Sequence, residues 1–136
     1  MAEKLCQLKK KGGAALTESI LWTNSSPTSN LAPKDISLND SFLNYSYIKI
    51  SYKINTSSSE EYQVLYPADL VKKSTFVTNV PIISIGARHS TLGGTTIVRF
   101  ITYVSDTSLH LSNASLISGS TTYNDYIIIT QITGVK

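Results

Sequence analysis

The chain has 136 residues, 41% of them hydrophobic and only 15% charged, a length and apolar content that fit one domain around one core. Ser, Thr and Asn fill roughly a third of the sequence, so its polarity is neutral and rich in hydroxyls and amides, a surface suited to sugars or to a neighbouring subunit. The net charge of +3 has no sustained basic stripe behind it, the single Cys6 cannot form an internal disulfide, and no stretch approaches the ~20 apolar residues of a membrane span, which argues against nucleic acid, a disulfide framework and membrane insertion.

Residues 1–15 read as a flexible basic arm carrying Lys9, Lys10 and Lys11, with Gly12 and Gly13 as its joint. Leu5, Leu8 and Leu16 stand isolated among polar residues, so the arm lacks the apolar core of a secretion signal; a soluble protein made in a cytoplasm is expected. Residues 16–136 read as a β-sandwich. Leu16 to Thr23 forms a first strand, Asn24 to Pro33 a turn-rich connection, and Asp35 to Leu38 a short strand. From Phe42 to Ile54 the even positions Phe42, Ile48, Ile50, Tyr52 and Ile54 are apolar against Lys49, Ser51 and Lys53, the pattern of a half-buried strand with one wet face. Asn55 to Glu60 is a hairpin loop. Tyr62, Val64 and Tyr66 alternate after it until Pro67, which lacks a ladder donor and should stop that strand or keep it at an edge.

Thr75 to Ile85 is an apolar run in which Pro81 implies a bulge, a break or an edge, and Gly86 is expected to close it. After a Gly93-Gly94 turn, Thr95 to Val104 sets Val98, Phe100 and Val104 against Arg99 and Tyr103, with Ile97 and Ile101 mixed in, so both faces are expected to be partly covered. Ser105-Asp106-Thr107 is a turn, and Leu109 and Leu111 around His110 mark a return strand. Gly119 to Asn124 is a loop, and Tyr126 to Ile132 is apolar enough for a central strand. Helical periodicity is nearly absent. Seven or eight strands at this spacing predict an all-β fold, an antiparallel β-sandwich with jelly-roll or Greek-key-like connections.

Catalytic chemistry finds no set of residues to work with. His89 and His110 are far apart in sequence and have no cysteine beside them, which fits no metal-ligand template, so neither metal nor cofactor is expected. Asp and Glu total nine, and the one adjacent pair, Glu60-Glu61, would point to opposite faces of a strand. No Gly-x-Ser-x-Gly elbow or phosphate-cradling glycine loop occurs. The reading is a non-enzyme. Eight tyrosines against three phenylalanines favour surfaces, because tyrosine joins an apolar ring to a polar tip. Tyr45 and Tyr47 share the parity of Lys49 and are expected to face away from the core, either in cross-strand packing or as ligand contacts. Arg88 and His89, expected in the loop ending at Gly93, are either solvated or part of a binding loop.

The succession Leu21-Trp22-Thr23-Asn24-Ser25-Ser26-Pro27, Lys34-Asp35-Ile36-Ser37-Leu38 and Tyr45-Ser46-Tyr47-Ile48-Lys49-Ile50 resembles a module of tail fibres and minor tail proteins from phages and prophages of Gram-positive hosts. Arg99-Phe100 followed by Ser105-Asp106-Thr107, and the close Asp125-Tyr126-Ile127-Ile128-Ile129-Thr130-Gln131-Ile132-Thr133-Gly134-Val135-Lys136, are similar to it as well. The resemblance implies a β-sandwich at the end of a virion appendage, a homotrimer, with a host cell-surface glycan or another tail protein as its target. It carries over no binding residue. A purely structural virion protein and a non-viral carbohydrate-binding domain are the alternatives.

Overall fold

Period-two alternation along the chain gives each strand one apolar face, and two antiparallel sheets bury those faces against each other. The computed structural model describes residues 16–73, 83–89, 95–117 and 119–136. In chain order these form β1 (Glu18–Thr23), β2 (Lys34–Ser37), a 3-10 turn (Phe42–Asn44), β3 (Tyr47–Asn55), β4 (Tyr62–Pro67), a short helix α1 (Ala68–Lys73), β5 (Ile83–His89), β6 (Thr95–Ser105), β7 (Ser108–Leu116) and β8 (Tyr126–Val135). One sheet has the order β1-β8-β3-β4 and the other β2-β7-β6-β5, and every pairing is antiparallel. The fold is therefore an all-β sandwich. As in a jelly roll, β1 lies beside β8 and β2 beside β7. The β5-β6-β7 meander with β2 returning beside β7 follows the Greek-key pattern read from the C-terminal side.

The core lies between the sheets. Leu21, Ile48, Ile50 and Ile132 from the first meet Ile36, Ile97, Ile101, Leu109 and Leu111 from the second, all essentially out of water. On the β4–β5 side the Tyr66 hydroxyl donates to the Ser84 carbonyl at 3.0 Å, tying the two edge strands together. In the core Arg99 also links the two sheets, with a cation. This fully buried guanidinium donates from Nε to the Ile127 carbonyl at 2.8 Å, from Nη2 to the Tyr126 carbonyl at 3.3 Å, and from Nη1 to the Ser112 carbonyl. Its partners among the described residues are carbonyl oxygens, and burial lowers its pKa to about 10. Ile127, whose carbonyl it holds, has a φ of 52°, a conformation that β-branched residues rarely adopt.

Several expectations need correction. Phe42 is not part of a strand. Ser41 caps a 3-10 turn by accepting the Leu43 amide, and the turn drops the Phe42 ring into the core, edge-on to Tyr103 at 6.0 Å. The strand begins only at Tyr47, so its parity does not extend back to Tyr45, which packs against the core. Gly134 makes room there: a Cβ at that position would come within 2.6 Å of the Tyr45 ring. Gly86 does not close β5. It sits mid-strand opposite Val98, and Arg88 and His89 end the strand instead of lying in a loop. On β6, Ile97, Arg99, Ile101 and Tyr103 share the inward face, because a guanidinium bonded at all three nitrogens is tolerated where a bare one would not be. Helix α1 was not foreseen, since six residues are too few to show a 3.6-residue period; it buries Ala68 and Val71. The basic arm, the Pro81 region and the Gly93-Gly94 turn lie outside the described residues.

Candidate functional site

An open cleft of about 820 Å³ lies across the end of the first sheet where β1 and β3 finish. Thr23 closes β1 there, and Asn24, Pro27 and Thr28 follow it in the β1–β2 connection. Lys53 comes from β3, Thr56 to Ser59 and Glu61 from the β3–β4 connection, and Thr130 and Gln131 from the middle of β8. Among the described residues the lining is mostly hydroxyls and amides, with Pro27, one lysine and one glutamate and no aromatic ring. Such a surface grips a ligand by hydrogen bonds to its edge, not by stacking on its face.

Local chemistry fixes the walls. The buried Asn24 donates from Nδ2 to the Ile129 carbonyl at 3.0 Å and accepts the Ser26 amide at 2.9 Å, while its own amide reaches the Thr130 carbonyl at 2.9 Å. On the other wall Asn55 Oδ1 accepts both the amide of Ser57 at 3.0 Å and its hydroxyl at 2.9 Å, an Asx turn, and Ser58 Oγ accepts the Glu60 amide at 3.2 Å. The Thr56 amide then ties the loop to the Asp125 carbonyl at 3.1 Å.

A β-bulge forms the floor. Ser51 pairs with Gln131 but Tyr52 pairs with Ile129, so Thr130 is an extra residue on β8. Bulges bend a strand and re-aim a side chain, and here Thr130 and Gln131 both line the cleft in succession. Among the described residues the buried Thr130 hydroxyl has no hydrogen-bond partner.

The residues singled out from sequence do not gather here. Tyr45 packs over Gly134, donates its hydroxyl to Asp40 Oδ2 at 3.2 Å and carries the Lys136 ammonium 5.4 Å over its ring. Tyr47, 43% exposed, opens β3 beside Val135. Arg88 is exposed, and His89 next to it stacks on Tyr126 at 4.3 Å and leans on Tyr123 at 5.6 Å. Tyr47 and Tyr126 adjoin opposite ends of the ten-residue β8, so the tyrosine pair and the Arg88–His89 pair stand ~30 Å apart. They cannot meet one small ligand. His110 bonds Asp35 across β2 and β7 at 2.7 Å, and among the described residues no three His, Cys, Asp or Glu side chains converge. Glu60 and Glu61 are both exposed, and Glu61 joins the cleft rim.

The cleft did leave traces in the sequence. Asn24-x-Ser26 and Asn55-x-Ser57 are Asx-turn patterns, and the adjacent polar pair Thr130-Gln131 within the apolar run Ile127 to Ile132 interrupts alternation as a bulge does. No protein-family model matches this chain, and no curated protein matches it.

Proposed function

We propose that the protein is a non-enzymatic tail or fibre-tip component of a bacteriophage or prophage, made in the host cytoplasm and carried on the virion tail, that meets a host-surface glycan through the polar cleft. The observation that carries the binding part is the cleft floor, where a bulge brings Thr130 and Gln131 in succession into the lining of a polar cleft. Rigid walls pinned by Asn24 and Asn55 favour the same reading, because a preorganised site loses less entropy when it closes on a sugar. The viral setting rests on the order of short motifs from Leu21 to Ile50 and on the Asp125–Lys136 close.

Binding to purified host cell walls and to a panel of oligosaccharides tests the proposal. Gln131→Ala is expected to weaken glycan binding about three- to tenfold, the worth of one or two hydrogen bonds, while the thermal midpoint stays within a degree or two of the parent. Unchanged binding in Gln131→Ala would move the contact away from the cleft, and no binding to any wall or glycan would leave the virion role purely structural.

A second reading, docking to another subunit, draws on the outer face of the same sheet. Ile20, Thr133, Lys49 and Leu65 form one row across β1, β8, β3 and β4, with Glu18, Val135, Tyr47 and Pro67 in the next. Ile20 is 54% exposed and Leu65 41%, and Lys49 is neutralised by an ion pair with Glu18. Ile20, Leu65 and Tyr47 stand exposed on this face around the buried Lys49, Thr133 and Val135, and exposed apolar side chains of this kind suit a homotrimer or a neighbouring tail protein.

A further inference from the structure

We infer that Lys53 reads negative charge in the cleft, and that the ligand is an acidic saccharide, a polyhydroxylated molecule bearing a carboxylate or phosphate group. This rests on the cleft being the glycan site and goes on to name the ligand's chemistry. Two lysines on the outer face of β3, Lys49 and Lys53, are each 8% exposed, although lysine normally keeps its ammonium in water. Their surroundings differ. Lys49 is neutralised by Glu18. The Lys53 ammonium makes one hydrogen bond, to the Thr56 carbonyl at 3.3 Å, and among the described residues no carboxylate comes within 4.0 Å of it.

An ammonium has three donors and no acceptor, so among the described residues two of the Lys53 N–H groups have no protein partner, and Lys53 lines the cleft. Buried charge is normally matched by an opposite charge or a full set of acceptors. An anionic oxygen entering there takes charge-assisted bonds from Lys53, and the hydroxyls of Thr23, Thr28 and Ser57 remain for the neutral part of the sugar. Glu61 on the rim carries the opposite sign and opposes an anion from that side. It therefore sets a second, independent expectation.

The test is titration of the full chain, followed by two-dimensional NMR and calorimetry, with glucuronic acid, glucose 6-phosphate, glucose and inorganic phosphate. Both acidic sugars are expected to bind about tenfold or more tightly than glucose, with shifts at Lys53, Thr130 and Gln131 and an affinity that falls with salt. If glucuronic acid and glucose 6-phosphate differ, the tighter one identifies the anion. Inorganic phosphate should bind more weakly than either, because it lacks the ring hydroxyls. Lys53→Met should remove the preference for acidic sugars over glucose, Lys53→Arg should keep it, and Glu61→Gln should tighten acidic sugars severalfold. Retained folding of Lys53→Met is checked by circular dichroism, and the Glu61→Gln result stands whether or not that variant folds. Equal binding of glucose and the acidic sugars, or inorganic phosphate binding as tightly as glucose 6-phosphate, overturns the inference while the cleft remains a sugar site. Absence of binding by all sugars, cell-wall oligosaccharides included, overturns the cleft reading itself.

Discussion

Replacing Arg99 with Met would leave the carbonyls of Ser112, Tyr126 and Ile127 without their donor in a dry interior. Each unsatisfied buried group costs about 1–3 kcal/mol, so Arg99→Met is expected to lower the unfolding free energy by about 3 kcal/mol or more, read from urea denaturation midpoints. Arg99→Lys should fall between, since an ammonium keeps the charge but cannot span three carbonyls with a planar fork. The pH dependence has a defined sign. With a folded-state pKa of about 10, below the ordinary arginine value, the unfolded chain holds this proton more tightly. Burying the charge therefore costs stability at every pH below about 10, and that cost is relieved as pH rises above 10 toward the ordinary arginine value. Throughout the neutral range the guanidinium stays charged, and the three carbonyls offset its desolvation.

Gly134 and Tyr45 couple two elements, the end of β8 and the segment leading into β3. An added methyl at Gly134 would overlap the Tyr45 ring, so Gly134→Ala is expected to cost about 1–3 kcal/mol. Combining it with Tyr45→Ala should cost less than the two single changes added together, a non-additivity that thermal melts of the four proteins would measure. Independent, additive losses would mean that the ring moves aside freely. This contact also explains a limit of reading elements from sequence. Alternation located β3, β4, β6 and β8 well, because each has a side-chain period of two and a flanking turn signal. It failed at Phe42, where Ser41 diverts the chain into a 3-10 turn, and hence at Tyr45, whose orientation depends on a glycine some ninety residues away. The full burial of Arg99 was not legible locally, because the carbonyls of Ser112 on β7 and of Tyr126 and Ile127 on β8 make it tolerable.

At the scale of the molecule, the exposed row on the first sheet bears on assembly. If the chain forms a trimer through that face, Leu65→Lys together with Ile20→Lys should shift it to a monomer by light scattering with little change in the thermal midpoint, because neither side chain belongs to the core. A parent protein already monomeric at high micromolar concentration would remove this role from the face. The sandwich class was legible because it follows from counting strands and spacings. The cleft was less so, since it joins residues from three separated segments, and only its Asx turns and the Thr130-Gln131 irregularity were visible locally.

The position of β8 between β1 and β3 governs how the chain can acquire this structure. The Asn24 side chain waits for a carbonyl 105 residues further on, and among the described residues β8 is the one strand with which β1 pairs. During synthesis the second sheet has all its strands before β8 emerges, whereas the first has only the β3–β4 hairpin and an unpaired β1. Such long-range closure makes for slow folding, with apolar edges bare until the final strand inserts. A nascent or truncated chain lacking that strand is therefore open to mispairing with its neighbours, and production of intact protein should respond to chaperone supply and to lower growth temperature.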